Sequence, residues 1–210
     1  MKRFSVKLMA LALCCALALS LAACDMDLEG LLSGGKPGNE EFLMAEIRTD
    51  TPVKVPGKVP VEAEKEIPNG WTEYNNGMIS LAIPEDWEIQ PGQITVIYDP
   101  SNSGKNFTLA SEMKSDIYKT MTPDGYMDLV GAAYASSGLV ISDVTVEQTY
   151  TGSGEPLTVI TQSTTTNGIT MHQTLMVIAS GSFNCVVTVT QLDSGSDLVD
   201  TVIETLRSVD

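Results

Sequence analysis

Histidine occurs once in the 210 residues, at position 172, and only one of the four cysteines, Cys185, lies beyond residue 24. A single imidazole and a single thiol exclude a His-rich or Cys-rich metal centre in the body of the chain. They also exclude a disulfide within residues 25–210. Basic residues are scarce, 12 against 27 acidic ones, for a net charge of −15. Phosphate binding runs on Lys and Arg, so nucleic acid is excluded as a partner class. No Gly-x-Gly-x-x-Gly or Walker loop is present to cradle a phosphate. No Gly-x-Ser-x-Gly elbow is present to present a nucleophilic serine. The apolar run from Leu8 to Ala23, interrupted by Ser20, is too short for a comfortable bilayer span, which takes about 20 residues.

That run is preceded by Lys2, Arg3 and Lys7 and ends in Leu21-Ala22-Ala23-Cys24. A positive start, an apolar centre and a small-residue end make a secretory signal. The four closing residues resemble the lipobox of bacterial lipoproteins. The resemblance implies cleavage between Ala23 and Cys24 and a diacylglyceryl group on the Cys24 sulfur. One acyl chain anchors only marginally, at about 0.8 kcal/mol per buried CH₂, whereas two or three on one cysteine hold firmly. Asp25 then fits retention at the cytoplasmic membrane, facing outward. Without the signal the chain carries nine basic and 27 acidic residues. That balance argues against a second, electrostatic grip on anionic lipid.

Residues 24–70 read as the acylated N-terminus followed by a tether. Gly34-Gly35-Lys36-Pro37-Gly38 breaks structure, and Pro52, Pro56, Pro60 and Pro68 recur among Lys and Glu. Asn39 with Glu40 and Glu41 suits the start of one short helix. A flexible spacer of this length reaches about 35–40 Å.

From Trp71 the chain reads as one domain through residue 210. Asn76-Gly77 predicts a type I′ hairpin turn. Ile79, Leu81 and Ile83 alternate on one strand face, Ile94, Val96 and Tyr98 on the next, and Phe107 to Met113 forms another strand. Thr122-Pro123-Asp124 then caps a helix whose face is Tyr126, Leu129, Val130, Ala133, Tyr134 and Ser137, with Gly138 as its stop. Four strands follow near 139–150, 156–166, 169–179 and 182–190. Their separators, Gly152-Ser153-Gly154, Asn167-Gly168 and Ser180-Gly181, are too short for anything but antiparallel neighbours. Leu198, Val199, Val202, Ile203, Leu206 and Val209 mark a closing amphipathic helix. The class is α+β: an antiparallel sheet of six to seven strands with flanking helices.

Gly77-Met78-Ile79-Ser80-Leu81-Ala82-Ile83-Pro84-Glu85-Asp86-Trp87 and the ending Leu206-Arg207-Ser208-Val209 resemble the PsbP/Mog-like superfamily. The resemblance spans roughly 71–210 and implies an α/β/α sandwich and a binding or assembly role. It supplies no catalytic residue, and Trp87 reads as packing.

Three local features remain. His172 shares a strand face with Thr170 and Thr174, across a turn from Thr161, Ser163 and Thr165; these hydroxyls meet water, form a flat recognition surface or mark an edge for strand addition. Cys185 alternates with Phe183, Val187 and Val189, as a small core residue does. Asp99, Asn102, Gly104 and Asn106, and separately Asp193 to Asp197, carry calcium-like oxygens without EF-hand spacing, and read as a turn and a helix cap. The expectation is therefore a lipid-anchored extracytoplasmic protein, non-catalytic and without a cofactor or metal. It binds or helps assemble an envelope or membrane protein; the alternative is a small-ligand or cation-binding lipoprotein, suggested by 17 acidic against four basic residues from Trp71 onward.

Overall fold

A computed structural model describes residues 66–102, 104–192 and 197–209. The signal, Cys24, most of the tether with its expected helix at Asn39, and residues 193–196 lie outside the described residues.

The second half of the chain is a four-strand meander: β6 (Val140–Tyr150), β7 (Pro156–Thr166), β8 (Ile169–Ser180) and β9 (Phe183–Gln191). Turn chemistry sets these limits. Asn167 and Gly168 both adopt positive φ, 49° and 78°, the pattern of a I′ turn, and they join Thr166 directly to Ile169 in the ladder. The first half supplies β3 (Glu88–Gln90), β4 (Thr95–Tyr98) and β5 (Asn106–Met113), so that a seven-stranded antiparallel sheet runs β3-β4-β5-β9-β8-β7-β6. The α+β fold with a seven-stranded antiparallel sheet agrees with the sequence reading.

Alternation divides this sheet into two apolar faces. Ile160, Leu175, Val177 and Val186 point one way. They are covered by helix α1 (Pro123–Ser136), which buries Tyr126, Val130 and Tyr134 at four-residue intervals. Thr122 caps α1, its Oγ1 accepting from Gly125 N at 3.1 Å, and Gly138 takes φ +71° just past the end, as expected. A short 3₁₀ turn, Asp116–Thr120, adds Tyr118 to that layer.

The opposite face carries Phe107, Leu109, Leu157, Val159, Met176, Ile178, Cys185, Val187 and Val189. Its cover is a second sheet, which the sequence did not announce. Strands β1 (Trp71–Asn75), β2 (Ile79–Pro84) and β10 (Arg207–Ser208) pair antiparallel in the order β1-β2-β10. Helix α2 (Asp197–Thr205) packs with them, and Ile79, Leu81, Ile83, Val202 and Leu206 close the core. Trp87 stacks at 4.8 Å and 45° on Phe107, a packing role as read.

Two boundaries differ from the sequence reading. The closing helix stops at Thr205, and Arg207 and Ser208 pair with Ser80 and Ile79 instead of extending the stripe to Val209. Competing partners cause this: Glu155 accepts Ser208 N at 2.9 Å, and Val209 N donates to Met78 O at 2.8 Å. The turn at 76–77 is not of type I′, because only Gly77 has positive φ. Asn76 stays outside the turn centre, its Oδ1 accepting from Met78 N at 2.9 Å and Ile79 N at 3.0 Å, an Asx arrangement.

Candidate functional site

The apolar pattern on the β1-β2-β10 face stops along a line across the main sheet. On β7 the same-face positions run Leu157, Val159, then Thr161, Ser163, Thr165. On β8 they run Ile178, Met176, then Thr174, His172, Thr170. On β9 Cys185, Val187 and Val189 give way to Gln191. The spacing of two is unbroken, so every one of these polar side chains stands on the face that the small sheet covers elsewhere. That cover does not extend to most of them: Thr161, Thr165, His172 and Thr174 are half-buried and Thr170 is exposed, whereas Ser163 and Gln191 are buried.

Register assembles them into rows. Thr145 of β6, Thr161 and Thr174 lie side by side; Ser142, Ser163, His172 and Gln191 form the next row; Val140, Thr165 and Thr170 form the last. A bulge between Ser142 and Thr145, with Asp143 at φ +55°, brings both β6 residues to this face. Hydroxyls meet within rows: Thr145 and Thr161 oxygens at 2.6 Å, Thr165 and Thr170 at 2.9 Å, and Ser163 Oγ with His172 Nδ1 at 3.3 Å. Gln191 ends the middle row. It is 5% exposed, and its Oε1 has no hydrogen-bond partner.

The sequence grouped the threonines, Ser163 and His172 correctly, since a two-residue turn fixes their mutual register. It missed Thr145, Ser142 and Gln191. The bulge conceals the first two, and the third becomes visible only once β9 is aligned against β8.

The other candidates resolve into structure. Cys185 is 1% exposed in the core, where burial pushes its thiol pKa up, away from the reactive thiolate. Asp99 Oδ1 accepts from Ser101 Oγ at 2.6 Å and Ser101 N at 2.8 Å, and these bonds, the hydroxyl first, hold its carboxyl below the ordinary range. Asn102 Oδ1 accepts from Gly104 N at 3.1 Å, and Asn106 is wholly buried. The oxygens of Asp99 and Asn102 shape a turn, as read, whereas Asn106 stands on β5 with its side-chain amide unpartnered. Cys24 and the Ala23–Cys24 bond lie outside the described residues, as does most of Asp193 to Asp197.

Comparison with known proteins found no matching family model and no matching curated protein. Solved structures do match. Cyanobacterial PsbP from Synechocystis sp. PCC 6803 superimposes over 66% of this chain and 92% of its own, at a TM-score of 0.53 and 13% identity. The chain has a PsbP-like fold. LpqN, a protein involved in cell envelope biogenesis of Mycobacterium tuberculosis, matches over 67% of this chain and 91% of its own at 18% identity. Its TM-score is 0.37, too low to argue from. The PsbP likeness establishes the architecture of the domain; at 13% identity it carries no site residue across.

Proposed function

We propose that this chain is a lipid-anchored extracytoplasmic protein, a non-catalytic module that binds or helps assemble an envelope or membrane protein at the cytoplasmic membrane. The sequence Leu21-Ala22-Ala23-Cys24 ahead of a PsbP-like domain carries the reading. The chemistry of the domain supports it. Its one body thiol is buried in the core and so is not poised as a nucleophile. A lipid on Cys24 keeps the domain at the membrane, and the spacer through residue 70 lets it search for a partner nearby.

Cross-linking in intact cells followed by detergent purification tests the role. A discrete envelope or membrane protein is expected; recovering none across several growth conditions would remove it. Mass spectrometry of the purified N-terminus tests the address, with diacylglyceryl-modified Cys24 expected as the first residue and an unmodified chain released to the medium as the contrary result.

A second reading, a small-ligand-binding lipoprotein, is favoured by Gln191, whose buried amide oxygen ends a polar row with nothing bonded to it.

A further inference from the structure

We propose that the hydroxyl-bearing part of the sheet binds a neutral, polyhydroxylated ligand, a glycan chain, laid across the strands. This rests on the second reading above. The residues that would make contact are Thr161, Thr165, His172 and Thr174, joined by the buried Ser163 and Gln191 where their side chains turn outward.

Charge selects the ligand class. From Trp71 onward the chain carries 17 acidic and four basic residues, yet the row positions hold no ammonium or guanidinium, and the carboxylate that meets them is Asp143 at the β6 bulge, whose Oδ2 accepts from Ser142 Oγ at 2.9 Å. A cation finds one carboxylate, at the β6 edge, too few for a hard-cation site, and an anion finds no cationic group. A protein interface centres on buried Trp, Tyr or Arg anchors, and the rows hold none. What the rows offer is a repeated donor-acceptor pair: each hydroxyl both gives and takes a hydrogen bond, as does an amide. Sugar hydroxyls are the matching chemistry.

Geometry agrees with that class. Adjacent strands lie about 4.8 Å apart, close to the length of one pyranose unit, so a linear glycan crossing the strands meets a similar side chain at each sugar. Thr145–Thr161, Ser163–His172 and Thr165–Thr170 contacts hold the side chains in fixed orientations before any ligand arrives. Gln191 supplies the independent sign. A polar atom almost wholly out of water and without a partner is costly to keep, and a ligand hydroxyl donating to the amide as the side chain turns outward would remove that cost.

The test is a titration of the full chain, held in detergent, with chitotetraose and with cellotetraose, followed by NMR of the threonine methyl groups and the His172 ring. Saturable shifts confined to the rows are expected, larger with tetramers than with the single sugars. The double variant Thr161→Val, Thr174→Val keeps shape and strand preference while removing two hydroxyls. Affinity should fall about two- to tenfold for each hydroxyl lost, with the rest of the spectrum unchanged. Absence of saturable shifts, shifts located elsewhere, or equal response in the variant would overturn the proposal, as would an identical response to glycerol. Failure here, with a cross-linked protein partner still recovered in cells, removes the glycan site and leaves the assembly role standing.

Discussion

Two halves of one sheet face do opposite things with the same strands. Toward Leu157, Ile178 and Cys185 the face is apolar and lies beneath β1, β2, β10 and α2; toward Thr161, Thr165 and Thr170 it is polar and left open. The backbone does not distinguish them, because β7, β8 and β9 run straight through both. Side-chain chemistry alone decides how far the cover extends. A roof laid over Thr161 and Thr174 would strip their hydroxyls of water and replace it with nothing. The covered half therefore holds the domain together, and the open half is free to be selected for something else.

Truncation in the covered half should break the fold most. Ile178 is 1% exposed and packed between the main sheet and its cover, so Ile178→Ala should cost about 2–5 kcal/mol by loss of burial and creation of a cavity. Urea denaturation checks this; the midpoint should fall with the slope unchanged. A loss below about 1 kcal/mol would mean that the cover is not held by this core.

Gly152 sharpens the comparison at the edge of the cover. A Cβ there would collide with the backbone oxygen of Glu204, and Gly152 N donates to Ile203 O at 3.1 Å. Backbone rather than a flexible side chain is the obstacle, so Gly152→Ala must displace α2 or the β6–β7 turn, at about 1–3 kcal/mol. Hydrogen exchange should speed up at Ser208 and Val209 while the amides of α1 keep their protection. Uniform loosening of both layers would contradict the picture of a separately seated cover.

The meander was the most legible part of this molecule. Its turns are written in glycine and asparagine, and Asn167-Gly168 fixes the pairing of Thr161 with Thr174 and Ser163 with His172 without further information. Less was legible where tertiary partners overrule local pattern. Leu206 and Val209 keep helical spacing, yet Glu155 and Met78 draw the chain into β10. Strand β3 carries one apolar residue among three and is exposed throughout, so no alternation marks it. The separation of β1 and β2 into a second sheet is invisible for another reason: both faces of β2 are buried, and burial on two sides reads as a central strand of the larger sheet. Of the candidate site, residue types on β7 and β8 were readable, whereas the contribution of β6 depends on a bulge at Asp143 that nothing in Ser142-Asp143-Val144 signals.

Glu112 is a polar group that did go under cover, on the α1 face opposite Asn184. Burial raises its carboxyl pKa, and hydrogen bonds with Tyr118 and Asn184 only partly oppose this. With the folded pKa above the unfolded one, the stabilising contribution of its neutral form is complete below the ordinary carboxylate range. It is lost as pH rises through the folded value. Glu112→Gln removes that loss. Relative to the parent, the variant should match in acid and become the more stable of the two as pH rises past the carboxylate range. Glu73 and Asp99, whose pKa values are lowered first by bonds from Ser80 and Ser101, act in the opposite direction in both proteins and cancel in the difference. Denaturation midpoints at several pH values read the sign; a difference independent of pH would refute the assignment.

Thr174→Val should have the smallest effect on stability and the most to say about the two halves. Thr174 sits one step beyond Met176, at the line where apolar gives way to polar, beside Val189 on β9. Valine has the same shape and an equal liking for strands, so nothing in the ladder or the local packing should object, and stability should stay within about 0.5 kcal/mol. If valine there stabilised the domain by a full kcal/mol or more, hydrophobic cover would already reach Thr174 and the line would have to move toward His172. If stability is unchanged, threonine at this position is not explained by stability; Thr161 directly opposite it, bonded to Thr145 at 2.6 Å, is a separate case. A hydroxyl at Thr174 that adds nothing to stability either keeps the uncovered half wet or serves a ligand, and the glycan titration separates the two.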